Sequence, residues 1–309
     1  MASEMSMKRS LILNELHELP LALAPPGLSA PPPLRVIAVT SGKGGVGKSN
    51  IVVNLGLALS RQGLKVLLID ADLGLANLDI LLGLTPSYTI QDLLAHRQPL
   101  AEVMAEGPEG LKILPASSGI PELAELDEYQ KMFLLNELDN YSETLDVVLI
   151  DTGAGISRNV LFFNLAAQER IVVANNEPTS ITDAYALIKV LSTKYKKETF
   201  SILINSAQNG QEAKEAFRKI SMTVDRFLGS ISLDYLGYVP FDQKLPLAVK
   251  HQRPVLELYP QALSSRSFME MAKNLMERPT PRRTYGNVQF FWQYLFQCQQ
   301  STGIDWRGD

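Results

Sequence analysis

Residues 36–49 read Val-Ile-Ala-Val-Thr-Ser-Gly-Lys-Gly-Gly-Val-Gly-Lys-Ser, and the fold turns on them. Val36–Thr40 is a short, continuous apolar run, the pattern of a strand covered on both faces. Gly42 to Ser49 then satisfies G-x-x-x-x-G-K-[ST], and Lys48–Gln62 reads as a helix. Strand, glycine-rich turn and helix in that order give the motif its meaning. The main chain of Gly42, Gly44, Gly45, Val46 and Gly47 can wrap a phosphate with its N–H groups pointing inward. The helix that starts near Lys48 adds the positive end of its dipole. Lys48 is expected to neutralise β/γ-phosphate charge, and Ser49 to supply a Mg²⁺ ligand. A Gly-rich turn without a ligand is the bland alternative.

Working outward, apolar runs alternate with helix-like segments from Leu34 to about Glu277, as in βαβ units. Residues 36–40, 65–70, 112–115, 146–151, 170–174, 201–205 and 236–239 read as strands. Residues 48–62, 129–142, 181–195, 211–228 and 258–276 read as helices. The pattern predicts an α/β protein, a P-loop NTPase with a mostly parallel sheet and helices on both faces. Two of its strands end in acids. The run Lys65–Asp72 closes on Asp70 and Asp72, and Asp146–Asp151 is followed by Thr-Gly-Ala-Gly. Ligands of open parallel sheets bind beyond the carboxyl ends of strands, which aims these acids at the phosphate site. Asp151 would hold Mg²⁺ through water, and Asp70 would support the metal from further out. A single strand-terminal Asp is more often a turn or cap residue; two such sites downstream of one P-loop favour the functional reading.

Composition narrows the possibilities. A net charge of −4 gives no global positive field for nucleic acid or anionic lipid. The lone Cys298 excludes an internal disulfide or a multi-cysteine cluster. Residues 24–33 are a Pro-rich linker, which sets a leader (1–33) apart from the ATPase domain expected at 34–277. In the leader, Ile12, Leu16 and Leu19 have helical spacing, so it is either a frayed tail or a docking helix. Its apolar run is broken by Asn14, Glu15, His17 and Glu18, unlike a signal peptide. Nowhere do about 18 apolar residues run together, so a cytoplasmic protein is expected. The tail (278–309) carries an amphipathic segment at 288–298, with Val288, Phe291, Trp292, Leu295 and Cys298 on one face. It could bind membrane by apolar insertion, dock on its own domain or close a dimer.

Several further strings carry a family resemblance. Lys43 makes the loop K-G-G-V-G-K, which is similar to the deviant Walker A of the MinD/ParA class. Asp70–Asp79 (DADLGLANLD), Asp151–Ile156, Glu177–Lys189 (EPTSITDAYALIK) and Leu233–Asp242 (LDYLGYVPFD) resemble the FlhG/FleN flagellar-number regulators. The likeness spans about Arg35 to Ala272. It implies a SIMIBI/MinD-like ATPase that binds ATP or ADP with Mg²⁺ and forms a homodimer when ATP-bound. By the same resemblance, Lys43 reaches the partner's phosphates and Asp72 positions the attacking water. Asn205 would read the adenine, Val239, Pro240 and Phe241 would flank it, and Glu177 would reach the neighbour's ribose. A solvated lysine, a strand-end cap and a surface charge are the plain alternatives for Lys43, Asn205 and Glu177. The implied partners are an FlhF-type GTPase, a flagellar transcriptional activator or basal-body proteins, with peripheral contact at the inner face of the cell membrane or the pole. No direct nucleic-acid binding is expected. A cell-division positioning ATPase and a nucleotide-independent scaffold are the competing functions. The chain departs from the family in lacking a DQAxxLR-type leader motif and in having Leu245-Pro246 where a basic segment is expected.

Overall fold

The computed structural model describes residues 34–73, 76–116, 126–141 and 144–279. The leader and the amphipathic segment at 288–298 lie outside them. Eight strands form one sheet: β1 (Arg35–Ser41), β2 (Val66–Ala71), β3 (Ala105–Glu106), β4 (Lys112–Leu114), β5 (Val147–Ala154), β6 (Glu169–Ala174), β7 (Thr199–Ala207) and β8 (Ser232–Pro240). Their order is β3-β4-β2-β5-β1-β6-β7-β8, and only the β3–β4 pair is antiparallel. The strand that leads into the glycine-rich loop therefore lies inside the sheet, between β5 and β6. All of its residues are buried, which is why its sequence reads as an unbroken apolar run.

Around the sheet stand α1 (Lys48–Ser60), α2 (Leu78–Leu82), α3 (Ile90–Leu94), α4 (Leu100–Val103), α5 (Glu128–Tyr141), α6 (Arg158–Ala166), α7 (Pro178–Tyr195), α8 (Gly210–Leu228), α9 (Lys244–Lys250), α10 (Val255–Leu258) and α11 (Leu263–Glu277). Successive strand residues point to opposite faces. On β1, Ile37 and Val39 pack with Leu55, Leu59 and Phe268 of α1 and α11. Val36 and Ala38 instead join Leu134 and Leu138 of α5 and Phe162 of α6. A third cluster sets Leu187 and Leu191 of α7 and Ala216 and Ile220 of α8 against Val172 and Ile202 of β6 and β7.

Several elements differ from the sequence reading. The helix expected at 258–276 begins only at Leu263, after the separate turn α10, because Pro260 cannot continue a helix and Tyr259 stands at φ −133°. Helix α7 begins at Pro178, where a fixed φ suits the first turn. Helix α6 has no solvent-facing stripe to give it away. Phe162 and Phe163 enter one cluster and Val160, Leu161 and Leu165 another, and even Asn159 and Asn164 are buried.

At the amino ends of the strands a buried Arg35 gathers the domain. Its Nε and Nη2 donate to Glu169 at 2.7 and 2.6 Å, and its Nη1 donates to the Leu275 carbonyl at 2.5 Å. Nearby, Arg278 donates to Ser201 Oγ and to the Tyr235 carbonyl, both at 3.0 Å. The first strand and the end of the last described helix are thereby tied together on the face opposite the loop.

Candidate functional site

At the carboxyl end of β1 the loop turns into α1 through two left-handed glycines, Gly45 (φ +76°) and Gly47 (φ +87°). The contacts around it leave no room for side chains at two positions. A Cβ on Gly42 would lie 2.1 Å from the Asp183 carbonyl oxygen of α7, and one on Gly47 would lie 2.3 Å from Asn205 Nδ2. Asn205 Nδ2 also donates to the Val46 carbonyl at 2.7 Å. The loop so held frames an open cleft of about 470 Å³, lined by Ser41, Gly44–Ser49, Asn50, Asp72, Asn77, Ile80, Leu81, Ala154 and Val249.

The charges in the cleft do not balance. Lys48 Nζ is paired with Asp151 Oδ1 at 2.6 Å, both nearly sealed from water. Asp70, 1% exposed, accepts the N–H groups of Asn77 and Leu78 at 2.9 and 3.1 Å and that of Asp72 at 3.2 Å. Burial, and then the neighbouring Asp151 charge, still push Asp70 up to about 7. Asp72 is raised too, mainly by burial, with Lys48 opposing and Asp151 adding. Asp151 and Asp72 share the one Lys48 ammonium, and Asp70 stands beside Asp151, a set that favours an added cation. Among the described residues no cluster of three or more His, Cys, Asp or Glu could cage a metal. Mg²⁺ keeps waters and takes one or two protein ligands beside phosphate oxygens. Ser49 and Asp151 would hold it, and Asp70 would lend charge.

The structure thus brings together the loop, Asp70, Asp72 and Asp151 as the sequence reading placed them. Lys43 is not among the cleft-lining residues. Its Nζ donates to Glu177 Oε2 at 2.5 Å and to Thr179 Oγ1 at 3.0 Å, at the start of α7. The Lys43 hydrogen bond is the main cause of the lowered pKa of Glu177. Val239 is fully buried, so only its main chain could meet a base, whereas Phe241 is 54% exposed. The turn between them is fastened at both ends. The Phe241 N–H donates to the Ala207 carbonyl, and Asp242 accepts from the N–H and hydroxyl of Ser264. Sequence reasoning gave no site role to the cleft-lining Ser41, Asn50, Asn77, Ile80, Leu81, Ala154 and Val249, although it quoted Ser41 and Ala154 within the loop and the Thr-Gly-Ala-Gly run. Asn50 adjoins Ser49 and could have been included on that ground. Asn77, Ile80, Leu81 and Val249 sit on or beside the short helices α2 and α9, which are too brief to show a periodicity.

A strand–loop–helix phosphate cradle with a second lysine, two acid-tipped strands beside it and a parallel sheet behind define a P-loop ATPase of the deviant Walker A class. Residues 37–255 match the family model described as the CobQ/CobB/MinD/ParA nucleotide binding domain. The chain is 44% identical to the antiactivator FleN of Pseudomonas aeruginosa over 86% of its own length and 94% of that protein. It is 33% identical to the flagellum site-determining protein YlxH of Helicobacter pylori, over 79% of this chain and 82% of that one. The structure of the septum site-determining protein MinD of Pyrococcus horikoshii in complex with Mg-ADP superposes with a TM-score of 0.67 at 25% identity, covering 79% of this chain and 96% of that one. The chain belongs to the MinD/ParA nucleotide-binding family, on its FlhG/FleN branch.

Proposed function

We propose that the protein is an ATP-driven dimerising switch that sets flagellar number or placement. The position of Lys43 carries this reading. The lysine that distinguishes the loop is not among the residues lining its own cleft; it is 36% exposed and paired with a still more accessible Glu177, 55% exposed. An exposed ion pair is worth little, so exchanging it for a partner's phosphates costs little. In the assembled switch each Lys43 supplies a cation to the other subunit's triphosphate, and each Glu177 is released toward the facing ribose. Within one subunit, the loop N–H groups and Lys48 hold the β- and γ-phosphates. Asp72 orients a water for in-line attack, and Asp151 couples the γ-phosphate to the following Gly153–Gly155 turn. Bound Mg²⁺ supplies charge neutralisation of the phosphate oxygens. Asn205, with the Val239–Phe241 turn, selects adenine. Dimerisation then presents paired surfaces to membrane or flagellar partners, such as an FlhF-type GTPase or a flagellar transcriptional activator. Hydrolysis, slow until a partner stimulates it, releases them.

Sedimentation velocity tests the proposal. With saturating ATP and Mg²⁺, Asp72→Ala should run as a dimer. Lys43→Ala should keep its ATP affinity yet remain a single subunit with hydrolysis lost. A monomeric Asp72→Ala protein at saturation, or a Lys43→Ala protein that still dimerises, refutes the mechanism. Flagellar counts in a deletion strain test the biological half.

A further inference from the structure

We infer that Asn205 is a positioning residue for the phosphate loop as well as a base contact, so that one amide serves both ends of the nucleotide. The peptide that joins Val46 to Gly47 is planar and trans, so its C=O and N–H point in opposite directions. Asn205 Nδ2 donates to the Val46 carbonyl at 2.7 Å. The Gly47 N–H is therefore turned away from Asn205, in a stretch where Val46, Gly47 and Lys48 all line the cleft. The contact is too close to be casual. Gly47 adopts φ +87°, and any side chain there would strike the Asn205 amide at 2.3 Å.

The far end of the contact is shaped as well. Ser206 sits in the left-handed region (φ +59°), where a residue with a side chain is strained. It lies where the β7–β8 register shifts between Asn205 and Ala207. This kink at the carboxyl end of β7 accompanies the side chain that crosses to the loop. One N–H of the Asn205 amide is used on Val46, which leaves the second N–H and the carbonyl for an adenine edge. A residue that only read the base would have no reason to engage the loop's main chain.

The inference rests on the proposed nucleotide function, and calorimetry with two probes separates their fates. The wild-type protein should bind both Mg²⁺–tripolyphosphate, which has no base, and Mg²⁺–ATP. Asn205→Leu keeps the side-chain shape without a donor, and Asn205→Ala removes it. Both should bind tripolyphosphate about tenfold more weakly, the loss expected when a hydrogen bond to a charged group is misaimed. ATP should weaken by at least as much. Unchanged tripolyphosphate affinity with weakened ATP would make Asn205 a base reader alone and overturn the inference. A wild-type protein that binds neither probe would overturn the nucleotide function along with it. Melting curves without ligand serve as the control. Loss of the cooperative melt in both variants would also overturn the inference, because the side chain would then be structural.

Discussion

Gly42 illustrates at the residue scale how the site is built by close approach as much as by chemistry. Its Cα faces a main-chain carbonyl of α7 that cannot rotate away, so Gly42→Ala must shift the loop or the helix. Overpacking of that kind costs about 1–3 kcal/mol. Urea denaturation should register that loss, and ATP affinity should fall with it. The nearness of the Gly42–Ser49 loop to Asp70 and Asp151 was legible in the sequence, because a strand-end position follows from residue type and local spacing. The pairings of Lys43 with Glu177 and of Asn205 with Val46 were not. Their partners are 134 and 159 positions apart, and no local pattern encodes which distant group a side chain meets. The resemblance named Glu177 and Asn205 as nucleotide contacts. Their hold on the loop itself emerges only from the folded chain.

Among the elements, α5 offers the clearest electrostatic test. Asp139 is 8% exposed among Leu134, Leu135 and Leu138, and burial raises its carboxyl from 3.8 to about 6. The folded state therefore holds that proton more tightly than the unfolded chain does. The stabilisation is complete below about 3.8 and is lost as pH rises through about 6. Asp139→Asn should raise the melting temperature at pH 8 by about 2–4 °C and leave it unchanged at pH 4. Equal shifts at both pH values would mean that titration plays no part. Helices with one apolar stripe, such as α8 and α11, were easy to foresee. Those without one, α6 above all, were hidden. So were α2, α3 and α4, which have only four or five residues each.

On the scale of the whole molecule, the strands and their near-parallel arrangement were readable because burial on both faces leaves unbroken apolar runs. The strand order was not, since crossovers are set by how helices pack. Among the described residues no helix is long and apolar enough to cross a membrane. Lipid contact is proposed for the segment at 288–298, on its amphipathic sequence pattern. Truncation after Arg283 should abolish ATP-dependent co-sedimentation with anionic vesicles while ATP turnover persists. Intact protein that never pellets, or that pellets equally well without ATP, would remove the membrane from the mechanism.

The knot of Arg35 with Leu275, and of Arg278 with Ser201 and Tyr235, has a practical side. Both extremities of the catalytic body leave from one pole, a full strand length from the nucleotide. A short synthetic bridge from residue 278 back to residue 35 could join them. The chain could then be reopened at an exposed turn on that same pole, such as the one at Gly229-Ser230 before β8, giving a circular permutant with its cradle intact.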